Sequence, residues 1–485
     1  MPSTCDSSTR GRITRRAFAL GLLPLATGTS LAGVPAAKRN ERPAVFATES
    51  PFGAKCDGVT DDTAAIQKAI DHNKGGTIII PGRALCAGVF LDGSSYNGTM
   101  IVCQGELVLK PRPSKSTGLF SGVWVGLIFK DCQGIVLQYR GDGNRRAQPD
   151  EEHCHLVGLA GVKDFECPQF FGREIRGDGI YISQSDWLHE SGMSDRLRFG
   201  TVRVVNSEDD GRNAMSIISG RNISIDRFVS KKIGGVVGGV RQPGGLDIEP
   251  NKLFQRCEDI VVRNAIVESS GAQCFGVVGR DSGQPEDWIV RRIRVGSLRS
   301  TNTLGANSGN FYAAAFRGVD GLDVQGTVSQ TALAGTGLLV DNAKNANVRI
   351  HVGRAGNGVV LGAKGWVRNS KFDIQVGAYG SQGIMASGLS NTSVSGTVED
   401  GEGASPVAML ATSHGRDIQQ ENVHYSLTIP RASAMQRGYV NDPTNPVRFA
   451  KCSVSYSNRW GYPDPASAIS GFGTGVTVVK EGTPR

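Results

Sequence analysis

Short strand-forming segments recur along most of this chain and constrain its fold more than any other feature. In one class a glycine precedes alternating apolar residues, as at 245–248 (GLDI) and 337–340 (GLLV). In the other, apolar and polar residues alternate, as at 347–350 (NVRI), and the two classes interleave. Repeats of about 20 to 25 residues with two or three short strands each, and no helix between them, are typical of a solenoid.

The composition agrees with a turn-dense, strand-rich architecture. The chain has 485 residues with 65 glycines and only 7% aromatic residues, and the glycines follow no period of three, which excludes a collagen-like chain. The formal charge is +8. Lys and Arg residues do not form runs with interleaved aromatic residues, so the sequence predicts no nucleic-acid partner.

Residues 52–82 (FGAKCDGVTDDTAAIQKAIDHNKGGTIIIPG) predict one capped helix and one strand. Thr60 is the expected N-cap, apolar residues recur at helical spacing over 65–70, and the β-branched strand 77–80 stops at Pro81-Gly82. The whole order closely resembles the N-terminal cap of the pectate-lyase and rhamnogalacturonase superfamily. The resemblance implies an all-β fold, a right-handed parallel β-helix whose short capping helix covers exposed strand edges.

The N-terminus resembles a bacterial twin-arginine export signal. Arg15 and Arg16 precede a short apolar run, and small residues near 32–37 suit cleavage. We therefore expect a signal peptide at 1–37, export by the twin-arginine machinery, and a periplasmic or secreted protein. The expected domains are this signal, a cap at 45–85, β-helix coils at 86–400, and irregular last coils with a C-terminal cap at 401–485. No later segment predicts a membrane span.

Nine cysteines follow the signal peptide without Cys-x-x-Cys pairs, and we expect them to be buried apolar residues rather than a disulfide framework. Residues 151–155 (EEHCH) contain soft metal ligands. Consecutive ligands point in different directions, so the sequence predicts a polar loop there and no metal site.

Charged residues interrupt three neighbouring strand segments, at 177–182 (GDGIYI), 208–217 (EDDGRNAMSI) and 244–251 (GGLDIEPN). Stacked coils lie about 4.8 Å apart, so these charges are expected to cluster on one face. Longer coils at 140–175, 183–200, 231–244 and 300–310 are expected to build the walls of a groove.

The third segment has the sharpest candidates. If Leu246 and Ile248 face the core, Asp247 and Glu249 face outward, roughly 6.5 to 7 Å apart along the strand. Paired carboxylates suit acid–base catalysis of glycoside hydrolysis or the binding of a cation, whereas the alternative is a solvated strand face.

The other two segments add further candidates. Asp209 and Asp210 repel each other, so one is expected to hold a proton and act as an acid, with a solvated turn as the alternative. Arg212 is expected to hold a substrate carboxylate or to balance the acidic cluster. The remaining candidates for substrate binding are Asp178, Tyr181, Asn213 and Asn251.

Departures from known families limit what the resemblance implies. Polygalacturonase-type hydrolases show Asn-Thr-Asp, Asp-Asp, Gly-His-Gly and Arg-Ile-Lys on successive coils, and only Asp209-Asp210 has a counterpart here. The Asp-Pro-His-Asp signature of alginate epimerases is also absent. The resemblance therefore implies a fold without transferring a mechanism.

Three functions follow as expectations. The first is an exported glycoside hydrolase: Asp209 or Asp210 is the acid, Asp247 or Glu249 activates water, and no cofactor is required. The second is a polysaccharide lyase or uronate C5-epimerase, for which Ca²⁺ is a possible cofactor. The third is a non-catalytic glycan-binding or adhesive scaffold. The expected partner is a polysaccharide, either acidic or neutral. The oligomeric state is open, with a trimer as one option.

Overall fold

Parallel strands dominate the structure, a computed structural model that describes residues 42–113, 122–186, 189–279, 289–304, 311–399, 401–403, 406–429, 437–457, 469–473 and 475–481. One helix, α1 (Thr63–His72), and two 3₁₀ turns (Ser94–Tyr96 and Arg145–Ala147) accompany the strands. The strands are β1 Val45–Phe46, β2 Asp57–Asp61, β3 Thr77–Ile80, β4 Arg83–Cys86, β5 Val89–Asp92, β6 Met100–Cys103, β7 Glu106–Leu109, β8 Trp124–Lys130, β9 Val136–Asp142, β10 Cys154–Ala160, β11 Lys163–Arg173, β12 Ile180–Ser183, β13 Ser194–Asp210, β14 Asn213–Ile217, β15 Gly220–Ile233, β16 Val236–Val237, β17 Val240–Arg241, β18 Gly244–Ile248, β19 Cys257–Ser269, β20 Gln273–Val278, β21 Val290–Asn302, β22 Tyr312–Gln330, β23 Thr336–Arg368, β24 Lys371–Val398, β25 Val407–Ala411, β26 Gln419–Thr428, β27 Arg437–Asn441, β28 Arg448–Ala450, β29 Cys452–Ser457, β30 Ile469–Ser470 and β31 Val476–Glu481.

Each coil pairs in parallel with the next coil along the chain. One series runs through β8, β10, β12, β14, β18, β20 and β22, and another through β9, β11, β13, β15, β19 and β21. A short antiparallel pair, β16 with β17, lies outside the stack. The fold is a right-handed parallel β-helix, which confirms the predicted fold class. Parallel pairing also continues past residue 400, through β25 to β31.

Apolar residues from successive coils form one continuous core. The cluster extends from Ala47 to Val454. The rings of Phe129, Phe165 and Phe199 follow one another with centroid distances of 5.8 and 5.6 Å. A solenoid buries its apolar surface through contacts between neighbouring coils, so each coil depends on the next for its stability.

One backbone turn repeats at the same position in coil after coil. Its residue adopts a left-handed conformation, with φ between 47° and 57° where it is not glycine. Asparagine and aspartate tolerate this region better than most residues, since their short polar side chains bond locally. The turn residues, in chain order, are Asp164, Arg196, Asn222, Asp259, Arg292, Gly321, Asn345, Asn369, Asn391, Asn422 and Lys451.

The cap has the predicted helix and strand, but the helix begins later than predicted. Its N-cap is Asp62, whereas Thr60 donates both its backbone N–H and its hydroxyl to Asp57. This local turn leaves Thr60 in strand β2, so the expected Thr60 cap is wrong. The carboxylate of Asp62 instead accepts the backbone N–H groups of Lys55 and Cys56, at 2.7 and 2.9 Å.

The described cysteines are all free thiols, eight of them buried and Cys56 half-buried. This confirms the prediction that they serve as small apolar residues. In the described part of the chain, no helix is long and apolar enough to cross a membrane. The predicted export signal, at 1–37, lies outside the described residues.

Candidate active site

The candidate site lies on the outer face of the sheet that contains β12, β14 and β18. Tyr181, Ser216, Asp247 and Gly276 are in register on four successive strands. Leu246 and Ile248, on either side of Asp247, belong to the core, so Asp247 faces outward as predicted. The three segments that the sequence singled out therefore do stack on one face.

Asp247 is nevertheless fully buried, so the expectation of an open carboxylate on the strand surface is wrong. Neighbouring polar side chains cover it. Asn213 approaches its Oδ2 at 3.4 Å, and a side-chain hydrogen bond links it to Glu249. The carboxyl groups of Asp247 and Glu249 thus converge, although their residues are two positions apart along the chain.

Burial raises the pKa of Asp247 well above its usual range, and the negative charge of Glu249 raises it further. Arg212 opposes this shift without cancelling it. Because burial disfavours the charge of Asp247 and its hydrogen-bond partner Glu249 is a second carboxyl group, the site favours the protonated form of Asp247. A carboxylic acid that keeps its proton at neutral pH is equipped to donate it to a substrate.

Asp178 forms the second buried carboxyl group of the site. Its Oδ2 accepts a hydrogen bond from Arg212 Nη1 at 2.6 Å, and the Ser216 hydroxyl also donates to it. Burial raises the pKa of Asp178 to about 6, while Arg212 opposes the shift. The ionised form of Asp178 therefore predominates at pH 7, whereas the environment of Asp247 favours its protonated form.

Arg212 connects the buried carboxyls to the surface. Burial disfavours its charge, but Asp178 and Asp247 outweigh this effect and raise the pKa of Arg212. Its Nε lies 3.4 Å from Oε2 of Glu152, whose side chain is 41% exposed. The sequence predicted that Arg212 holds a substrate carboxylate or balances the acidic cluster. In the structure its guanidinium contacts two carboxylates of the protein itself.

His155 is a member of the site that sequence reasoning missed. It lies in β10 rather than in a polar loop, and its Nδ1 accepts the backbone N–H of Asp178 at 2.8 Å. Its ring stacks on Tyr181 with a centroid distance of 5.0 Å. Burial lowers the pKa of His155 well below its usual range, so the imidazole is neutral. The register of strand 154–160 against 180–183 was the signal that could have placed it here.

Several buried polar atoms of the site have no hydrogen-bond partner among the described residues. They are Nε2 of His155, Oδ1 of Asp178 and Oδ1 of Asp247. A buried polar group without a partner is costly, so such a concentration indicates a place where a ligand binds. Within the described ranges, no three His, Cys, Asp or Glu side chains are placed to hold a metal ion.

The structure places Asp209 and Asp210 in a different cluster. Asp210 ends β13 and bonds Arg145 at 2.6 Å and Arg176 at 2.7 Å, whereas Asp209 is exposed beside it. Asp210 is therefore engaged in a structural ion-pair network, and neither residue adjoins the Asp178–Arg212–Asp247 group in the contacts of the described chain.

The last two predicted binding residues make structural contacts. Asn213 is buried, accepts the backbone N–H of Gly244 at 2.9 Å and donates to Ser216 at 2.9 Å, so it bridges two coils. The backbone N–H of Asn251 donates to Gln255 in the turn after β18.

No family model and no curated protein matches this sequence. Solved structures do match in shape. The A-module of a mannuronan C-5 epimerase from Azotobacter vinelandii is 14% identical, with 90% of this chain and 100% of that chain covered and a TM-score of 0.36. A family 28 exopolygalacturonase from Yersinia enterocolitica is 13% identical, with 84% and 77% covered and a TM-score of 0.33. A surface adhesin of Streptococcus pneumoniae is 12% identical, with 86% and 93% covered and a TM-score of 0.37. At these values the likenesses carry no argument about activity.

Proposed function

We propose that this protein is an exported enzyme that hydrolyses glycosidic bonds of a polysaccharide, with its active site at Asp178, Arg212, Asp247 and Glu249. The observation that carries the proposal is the difference in pKa between two buried carboxyl groups, Asp178 just before β12 and Asp247 on β18, with the coil of β14 between them. Burial raises the pKa of Asp247 well above its usual range, while Arg212 and Ser216 favour the ionised form of Asp178. Glycoside hydrolysis needs one carboxylic acid and one carboxylate.

The environments of the carboxyl groups suggest their roles. Asp247 donates its proton to the leaving oxygen of the glycosidic bond, and Glu249 retains that proton by its hydrogen bond until transfer. Asp178, held by Arg212, either takes a proton from the water that attacks the anomeric carbon, or attacks that carbon itself to form a glycosyl-enzyme that water then hydrolyses. This reassigns the acid, because of the two candidates from the sequence Asp210 belongs to the ion-pair network around Arg145 and Arg176 and Asp209 is exposed beside it.

The charge of the site favours a sugar without a carboxylate. Arg212 pairs with two carboxylates of the protein, Glu152 and Asp178, and the carboxyl group of Glu249 lies beside Asp247. A uronate carboxylate would therefore have to compete with these two protein carboxylates for Arg212. A lyase or an epimerase must bind and neutralise a uronate carboxylate, so these two activities are less well supported than hydrolysis.

The test is a polysaccharide screen of the chain without residues 1–37. Neutral and acidic polysaccharides are incubated with and without calcium, and new reducing ends are measured together with the ultraviolet absorbance of unsaturated uronate ends. Reducing ends alone, from a neutral polysaccharide, are the expected result. Unsaturated ends that depend on calcium would contradict hydrolysis and indicate a lyase. Binding without any product would support the scaffold function.

Asp247→Asn is the first variant to test. It preserves shape but removes the acidic proton, so we expect activity to fall by about 100-fold or more, the usual range for a general acid. Asp323→Asn is the matched control, because Asp323 is an exposed aspartate paired with Arg294 on a later coil. Circular dichroism should show both variants folded. Full activity in Asp247→Asn would refute the assignment.

A further inference from the structure

A second polar groove lies on the late coils, away from the candidate active site. It encloses about 720 Å³, and five asparagines line it, Asn347 and one at the turn of each of four coils: Asn345, Asn369, Asn391 and Asn422. These four are left-handed turn residues, with φ between 47° and 55°. Their side chains are exposed, so the groove faces solvent along the stack.

The asparagine amides are held in a ladder but keep capacity for a ligand. Asn422 donates to Asn391 at 2.9 Å, and Asn391 donates to Asn369 at 3.2 Å. A primary amide has two N–H donors and an oxygen with two lone pairs, and a ladder bond uses one donor and one lone pair. The remaining donors and lone pairs repeat once per coil, on side chains whose positions the ladder already fixes.

The turn residues in this groove are uncharged, whereas several turn residues on earlier coils are charged. There the turn residues pair with each other, as Arg196 with Asp164 and Arg292 with Asp259. The lining of the groove contains no carboxylate, and its one lysine is Lys371. A nucleic acid would require several cations, and a peptide anchored by apolar side chains would find no large apolar side chain in the lining to pack against. An uncharged chain rich in hydroxyl groups fits donors and acceptors of this kind.

We propose that this groove is a second glycan-binding site, which takes an uncharged, hydroxyl-rich stretch of polysaccharide through the amides of Asn369 and Asn391 and their neighbours. The site is separate from the carboxyl groups at Asp178 and Asp247 and requires no chemistry there. It would hold the polymer on the stack while the other site acts on it.

Affinity electrophoresis of the chain without residues 1–37 tests the proposal, in gels that contain galactomannan, xyloglucan, dextran or polygalacturonate. The assay uses the Asp247→Asn variant, because a protein that does not hydrolyse the polysaccharide leaves the gel matrix intact and its retardation reports binding alone. We expect retardation by at least one neutral polysaccharide and none by polygalacturonate. Absence of retardation in all the neutral gels would overturn the proposal and leave the hydrolase assay unaffected.

Two variants locate the binding. The double change Asn369→Gly and Asn391→Gly keeps a residue that accepts positive φ but removes both amides, and should weaken retention about tenfold through the loss of ligand hydrogen bonds. Asn222→Gly is the matched control, a left-handed turn asparagine outside the groove whose amide bonds Asp195. Ser393→Arg fills the groove and leaves the ladder intact, so it should also abolish retention. Unchanged retention in both groove variants, or an equal loss in the control, would refute the proposal.

Discussion

At the scale of the residue, the two buried carboxyl groups differ because their neighbours differ. Asp178 faces a guanidinium and a hydroxyl, whereas Asp247 faces another carboxyl group and an amide. Alternation along 245–248 predicted that Asp247 faces outward, and that is confirmed. It could not predict burial, since Asn213 and Glu249 cover the carboxyl only after coil stacking and side-chain packing bring them together. His155 was missed for the same reason, because its contact with Asp178 depends on the register between coils.

The ionisation of a single residue should determine the acidic limb of the pH–rate profile. If Asp178 acts in its ionised form, kcat/KM should fall as the pH drops below about 6, the value to which burial raises its pKa. The charge of Glu152 contributes to that raised pKa, so Glu152→Gln should move the limb to lower pH. Asp373→Asn, on a distant coil, should leave the limb in place. A limb that does not move in Glu152→Gln would contradict the role given to Asp178.

At the scale of the element, glycine on β20 leaves room beside the proposed acid. A Cβ at Gly276 would lie 2.8 Å from Nε2 of Gln273 and 3.1 Å from Oδ1 of Asp247. Gly276→Ala should therefore displace the carboxyl and lower kcat/KM about tenfold, with the fold retained. Gly158→Ala is the control from the same column of the sheet, because its Cβ would meet Val125 at an ordinary 3.5 Å. Equal activity in both variants would show that the space beside Asp247 has no role.

An ion-pair network joins the segment between β9 and β10 to the end of β13. Arg145 and Arg176 both bond Asp210 at the end of β13, and Arg176 also pairs with Asp150. Asp210→Asn should destabilise the fold by about 3 kcal/mol, as expected when one partner of a largely buried ion pair is removed. It should not change the pH–rate profile. Thermal unfolding and pH–rate measurements test this, with the exposed neighbour Asp209→Asn as control. Loss of a pH limb in either variant would restore the sequence-based assignment of the acid.

At the scale of the whole molecule, the fold was predictable because its signals repeat. The cap at 52–82 and the recurring strand segments indicate a stack of coils. Each coil has the same arrangement, with apolar residues directed inward and a tight left-handed turn. The site was only partly predictable, since it arises where coils of unequal length bring distant segments together. Glu152 and Arg212, for example, are 60 positions apart in the sequence but are neighbours in the structure.

The continuous core also makes a prediction about thiols. Burial raises the pKa of the eight buried cysteine thiols and shields them from solvent, so the folded chain without residues 1–37 should present only half-buried Cys56 to a thiol reagent. Reaction with a chromogenic disulfide should therefore modify at most one thiol in native buffer and nine after denaturation, and Cys56→Ser should remove the native signal. Because none of the described cysteines is bridged, a reductant should leave the midpoint of thermal unfolding unchanged. A lower midpoint with reductant, or several thiols reactive in native buffer, would show that the stack does not enclose them.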